Sequence, residues 1–178
     1  VAHVVLRHGV PHYHALADHL RHAARRAEAF AQVFGSAHWG LLAGLWHDLG
    51  KYRTSFQYKL YRAVDPDAHI EGRDPRVSHS HAGAVHALER LGKIKGLPLA
   101  LAIAGHHSGL PDLEVGDGVA ASLRYRLGSN LAKTECADIA DIAIPRDILE
   151  PGIEPPAVIP GNADGYALWV RMLFSCLV

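Results

Sequence analysis

At 178 residues, with zero formal net charge and two cysteines, the chain has room for one domain and no disulfide framework to lean on. Balanced charge excludes a globally basic nucleic-acid binder, so any phosphate must be gripped locally, by bound cations or a few side chains. The longest apolar run, Leu97 to Gly105, contains Pro98 and is far too short for a membrane span.

Cys136 and Cys176 are isolated and match no zinc spacing, and no signal-peptide pattern is present, so a reducing, cytoplasmic location is expected. The chain begins without Met and stops inside the apolar Leu173-Phe174-Ser175-Cys176-Leu177-Val178. Residues 1–178 are therefore expected to be a single domain of a longer parent protein. Fourteen histidines against two cysteines point to metal or acid–base chemistry.

Taken in order, Val1 to His12 reads as a loop, because Gly9 and Pro11 break any helix, and His3, His8, His12 and His14 read as exposed or locally bonded. From Tyr13 to Phe34 the apolar positions Leu16, Leu20, Ala23, Ala27, Phe30 and Phe34 recur with helical period. His19 falls on the inward face of this helix, with His22 as its alternative; Arg21, Arg25, Arg26 and Glu28 mark the solvent side. Ser36 is placed to cap a buried second helix, Ala37 to Leu49, that delivers His47 and Asp48 to its end. A short third helix is expected over Tyr52 to Ala63, carrying Phe56, Leu60 and Tyr61, followed by a surface loop from Asp65 to Arg76 in which His69 and Glu71 are solvated.

Ser78 is placed to cap a fourth helix through about Leu91, with Ala82, Val85, Leu88 and Leu91 buried and small residues at 82 to 84 allowing close packing. Leu97 to Ala104 is apolar all round and reads as a buried helix with Pro98 in its first turn. It ends in Gly105-His106-His107-Ser108-Gly109, a pair of histidines that packing does not explain. A further helix is expected from about Val119 to Ala132 through Leu123, Leu127 and Leu131. The proline-rich stretch Asp138 to Pro160 reads as loop or extended chain, and Ala163 to Val178 as a last helix through Leu168, Met172 and Leu173. The fold class is all-α.

Four separate elements thus end or begin with ligand-type residues: His19, His47 with Asp48, His79 or His81, and His106 with His107. Neighbouring side chains on a helix diverge by roughly 100°, yet at a helix end His47 and Asp48 both reach a pocket beyond it. Five imidazoles and one carboxylate suit divalent cations, and Asp48 can bridge two of them roughly 3.5 to 4 Å apart, where they would clamp a phosphate and activate water. Lys51 would then stabilise negative charge on the phosphoryl oxygens.

The ordered set His47-Asp48-Leu49-Gly50-Lys51, Phe56-Gln57, His79-Ser80-His81-Ala82-Gly83-Ala84 and Gly105-His106-His107-Ser108-Gly109-Leu110 resembles the HD nuclease domain of the CRISPR-associated nuclease-helicase of type I systems, within the HD phosphohydrolase superfamily. The resemblance implies an HD-domain helical bundle with a metal site where helix ends converge. It implies a metal-dependent nuclease that cuts single-stranded DNA in antiviral defence, with Asp48 and Lys51 catalytic and His19, His47, Asp48, His79, His106 and His107 as metal ligands. The histidine at 79 is preferred over that at 81 because the family's histidine precedes the Ser-x-Ala-Gly-Ala portion. Two ions are implied, drawn from manganese, iron, cobalt, nickel, magnesium or zinc. The implied partners are single-stranded DNA in an R-loop, the effector complex that forms it, and a helicase domain in the same parent chain. In the family, the segment like 171–178 leads into an aspartate that is also a ligand, which leaves the first metal position here with His19, His47 and Asp48. The alternative activity is hydrolysis of a nucleotide or cyclic nucleotide, which needs a closed pocket rather than an open groove. A non-catalytic interaction domain that keeps the fold is a third reading.

Overall fold

The computed structural model describes residues 1–62, 78–113, 122–156 and 162–178. The loop expected over 65–76, with His69 and Glu71, lies outside these residues, as does the start of the helix expected from Val119. The described elements are β1 (His3–Arg7), β2 (Val10–His14), α1 (Leu16–Gln32), α2 (Ala37–Trp46), a 3₁₀ turn (Leu49–Tyr52), α3 (Thr54–Arg62), α4 (His81–Gly105), α5 (Leu123–Gly128), α6 (Asn130–Ala140), α7 (Arg146–Leu149) and α8 (Ala163–Ser175). The architecture is a helical bundle with one small hairpin.

That hairpin replaces the loop expected over Val1 to His12. β1 and β2 pair antiparallel with His3 opposite His14 and Arg7 opposite Val10, leaving His8-Gly9 as a two-residue turn. Both turn residues have positive φ, 51° and 79°, the backbone that matches the twist of paired strands. Pro11 is tolerated because a two-stranded sheet has a free edge on each strand.

Helix α1 buries Leu16, Leu20, Ala24, Ala27 and Ala31, so its inward stripe runs through Ala24 and Ala31 and leaves Phe30 exposed. Helix α2 runs antiparallel to it at close range. A Cβ at Gly40 would strike the backbone of Ala27, and one at Gly44 the backbone of Ala24, so glycine there sets the helix separation. Helix α2 stops at Trp46, with His47 as its C-cap, and Ser36 at its N-terminus makes no side-chain cap bond. The Ser36 hydroxyl instead accepts from the Trp169 indole at 2.8 Å, tying α2 to α8.

Helix α4 is broken at Gly92, where φ is 69° and ψ 177°. The chain folds back there: Gly96 packs against Ala87 and Leu88, and Gly83 against Ile103 and the Trp46 carbonyl. Both halves thereby lie antiparallel, as the separate helices expected around 78–91 and 97–104, and both outer ends return to the end of α2. The second half is buried throughout from Pro98 to Gly105. Leu20, Leu42, Leu99 and Ile103 are fully buried in the shared core, where truncating one such side chain costs about 2–5 kcal/mol.

The remaining helices brace this centre. The expected helix through Leu123 and Leu127 divides at Ser129, which ends α5 and caps α6 by accepting the Ala132 N–H. Helix α6 runs on to Ala140 and α7 follows, so the stretch expected to be loop from Asp138 is helical in part. In α8 the buried residues are Trp169, Val170 and Leu173, while Leu168 and Met172 are exposed. No described helix is long and apolar enough to cross a membrane.

Candidate metal centre

The centre forms where four helix ends meet at Asp48, which is 2% exposed. Its two oxygens face different groups. Oδ2 lies 3.1 Å from His19 Nε2, 3.1 Å from His47 Nε2 and 2.8 Å from Lys51 Nζ. Oδ1 lies 3.3 Å from His79 Nε2 and 3.4 Å from His106 Nε2. Two groups of ligand atoms result, each within 4.8 Å internally: His19, His47 and Asp48, and Asp48, His79, His106 and His107.

Local structure points the ring nitrogens inward. His47 Nδ1 donates to the Gly44 carbonyl at 2.9 Å and His106 Nδ1 to the Ile103 carbonyl at 2.6 Å, which turns each Nε2 to face the centre. His19 Nε2 and His47 Nε2 face each other at 3.4 Å, and His79 Nε2 and His107 Nε2 at 2.8 Å. Burial pushes His79 down to about 4, with Lys51, His106 and His107 adding to that and Asp48 opposing it, so the ring is neutral at pH 7. Burial pushes the Asp48 carboxyl up, but His106, His19 and His47 outweigh it and hold the group ionised well below the usual carboxylate range.

Divalent cations fit this donor set. Asp48 Oδ1 and His106 Nε2 are buried without a well-formed hydrogen bond, and such polar atoms among converging imidazoles are what a cation satisfies. His22 does not join either group; its ring stacks on His14 at 6.4 Å. His81 turns away, with Nδ1 3.0 Å from Glu135 Oε2 and 2.8 Å from the Ser78 hydroxyl.

Glu135, on α6, is a supporting residue that sequence reading does not single out. It is fully buried, and its Oε1 accepts from the backbone N–H groups of His81 and Ala82, capping α4 in place of a serine. Burial pushes its carboxyl up, but the His81 ring and the Ala82 N–H outweigh that and hold it below its ordinary value. Buried Arg53 bonds Asp138 and the Ser78 carbonyl, fixing the segment that leads to His79. Gly50 has no room for a Cβ between Glu135 and the His79 backbone, so the 3₁₀ turn sits directly under His79. Phe56 closes this side, its ring edge-on to His79 at 4.9 Å and 5.8 Å from Lys51 Nζ. Gln57 donates to the Lys51 carbonyl at 2.6 Å and to the Val1 carbonyl at 2.8 Å, anchoring the lysine's backbone.

A cavity of about 450 Å³ opens beside His19 and His47 and continues along α1 past His22, Arg26 and Phe30. It is open to solvent, and among the described residues Arg26 has no ionic or hydrogen-bonded partner.

Among protein-family models, "Cas3, HD domain" matches residues 1–148. No curated protein matches the chain. With five-sixths of its length under that match and a histidine–aspartate centre at converging helix ends, the chain belongs to the Cas3 HD-domain family, the metal-dependent nuclease of CRISPR systems.

Proposed function

We propose that this domain hydrolyses phosphodiester bonds of single-stranded DNA at two divalent-metal positions that share Asp48. The observation that carries the reading is the division of the Asp48 carboxylate, one oxygen toward His19 and His47 and the other toward His79 and His106. His19, His47 and Asp48 would hold one ion; Asp48, His79, His106 and His107 would hold the other. When bound, such ions supply Lewis-acid stabilisation of the phosphoryl oxygens and a water activated at neutral pH.

The chain's own residues do the rest. Asp48 stays ionised and fixes the spacing of the two positions. His47 and His106 are held in one tautomer by backbone carbonyls. Lys51 Nζ lies 2.8 Å from the carboxylate and presents positive charge where negative charge develops on phosphorus-bound oxygens.

A strand, rather than a free nucleotide, is supported by the open cavity that leads from His19 along α1, with Arg26 for a phosphate and Phe30 for a base. Residues 1–178 are read as one domain of a longer, cytoplasmic chain with a helicase, receiving DNA from an R-loop held by a CRISPR effector complex.

Single-stranded DNA cleavage across manganese, iron, cobalt, nickel, magnesium and zinc tests the proposal, with metal content measured in parallel. Metal-dependent cutting lost in Asp48→Ala is the expected result. Hydrolysis of free nucleotides with single-stranded DNA left intact would overturn it.

A further inference from the structure

The metal centre has a recognisable signature: imidazoles from separate segments converge, and buried polar atoms among them lack partners. A second cluster among the described residues carries the same signature. His3 and His14 are opposite each other in the hairpin register, with ring centroids 4.8 Å apart, and each stands edge-on to His19 at 6.0 Å. One ligand-capable nitrogen from each of the three lies within 4.8 Å of the others. His14 Nδ1 is buried with no hydrogen-bond partner. The hairpin's packing does not require this arrangement, since its remaining side chains are largely exposed.

We propose that His3, His14 and His19 form a third metal position, which takes a borderline divalent cation such as zinc, nickel or cobalt. Three imidazoles without a carboxylate disfavour magnesium and calcium, which prefer oxygen. Three protein nitrogens leave a fourth, tetrahedral place for water.

His19 belongs to both clusters, and this couples them. A neutral imidazole has one lone pair, and His19 Nε2 lies 3.1 Å from Asp48 Oδ2. An ion at the hairpin therefore competes for His19 with an ion at His19, His47 and Asp48. Binding at the hairpin stands on its own geometry; only this competition rests on the proposed nuclease centre.

The test is histidine labelling of the chelated wild-type protein with diethyl pyrocarbonate, read by peptide mass spectrometry, with and without added zinc or magnesium. Zinc is expected to protect His3 and His14 at least several-fold, magnesium not to, and the zinc protection to persist in Asp48→Ala. Equal labelling of His3 and His14 with and without zinc would overturn the proposal, as would protection that disappears in Asp48→Ala. Equilibrium dialysis of zinc in the Asp48→Ala background, where the competing position is gone, adds a count: adding His3→Gln/His14→Gln to that variant is expected to remove one bound ion, and an equal count would also overturn it. Labelling of the wild type decides even if the double variant fails to fold. Failure of the nuclease reading shows separately, as absence of cleavage in every metal.

Discussion

The ammonium of Lys51 lies 2.8 Å from Asp48 Oδ2, the oxygen that also faces His19 and His47. The two residues are therefore neighbours with separable roles. Asp48→Ala is expected to lower the bound-metal count and abolish cleavage while the circular dichroism spectrum stays helical. Lys51→Met is expected to keep the metal and lose about 10²-fold in kcat, the scale of removing one donor that stabilises a developing charge. Elemental analysis alongside cleavage kinetics separates the two, and parental kcat in Lys51→Met would remove the lysine from the chemistry.

Glu135 touches no proposed ligand, yet it holds the turn that carries His79. Replacing it with alanine strands two backbone N–H groups and leaves the His81 ring only the Ser78 hydroxyl. Thermal unfolding in chelator should report a loss of about 3 kcal/mol, because buried charge-assisted bonds are involved. Metal affinity should weaken about 10-fold or more, as when an outer-shell partner is removed. An unchanged Tm would contradict the capping role.

Arg26 lies seven residues after His19 on α1, about 10 Å further along the helix axis at 1.5 Å per residue, and lines the same cavity. On the proposed reading it would take a phosphate next to the scissile one rather than the reacting group. Arg26→Glu should raise the KM for an oligonucleotide and flatten its salt dependence, while hydrolysis of bis(p-nitrophenyl) phosphate, too small to reach the arginine, is unaffected. Equal losses on both substrates would mean that the substitution disturbs the metal centre instead.

Burial lowers the proton affinity of His79, to about 4, and also lowers that of His86 and His107. In the unfolded chain these rings titrate near 6.5. Protons therefore bind the unfolded state first: the metal-free protein is at full strength above pH 6.5 and loses stability progressively as the pH falls toward 4. At about 1.4 kcal/mol per tenfold difference in proton affinity, His79 alone accounts for at most about 3 kcal/mol. Asp48 works in a lower window: its contribution is fully present above the unfolded carboxylate's ordinary 3.8 and is lost progressively as the pH falls below that. Melting curves in chelator between pH 7 and pH 5 check the slope, and a flat Tm would contradict it. Saturating manganese should steepen the fall, because protons then compete with the ion for the same nitrogens.

Much of this was legible because helical period and ligand chemistry are local properties. Leu16 and Leu20 mark the buried face of α1, and five histidines on four helix ends gather around Asp48. What stayed hidden depends on partners distant in sequence. Gly9 and Pro11 read as breakers, whereas His8 and Gly9 together make a hairpin turn once β1 and β2 pair. Phe30 keeps the period yet lies exposed, since Gly40 draws α2 against Ala27 and Ala31 instead. Glu135 looks like any polar residue of an amphipathic helix; only the unfilled N–H groups of α4 explain its burial. His3 and His14 gain meaning only when the hairpin register sets them side by side.

The reversal at Gly92 gives any captured ion a mechanical task. His79 and His107 are 28 positions apart in the chain, on opposite prongs of a fork hinged at a residue whose positive φ disfavours a side chain. A cation gripped by both rings would be a removable cross-link across the prong tips. Closing a loop of that length withdraws about 3 to 4 kcal/mol of freedom from the unfolded chain. A chelator would then act on this domain as a reductant acts on a disulfide-stapled one, loosening the fork before the core melts.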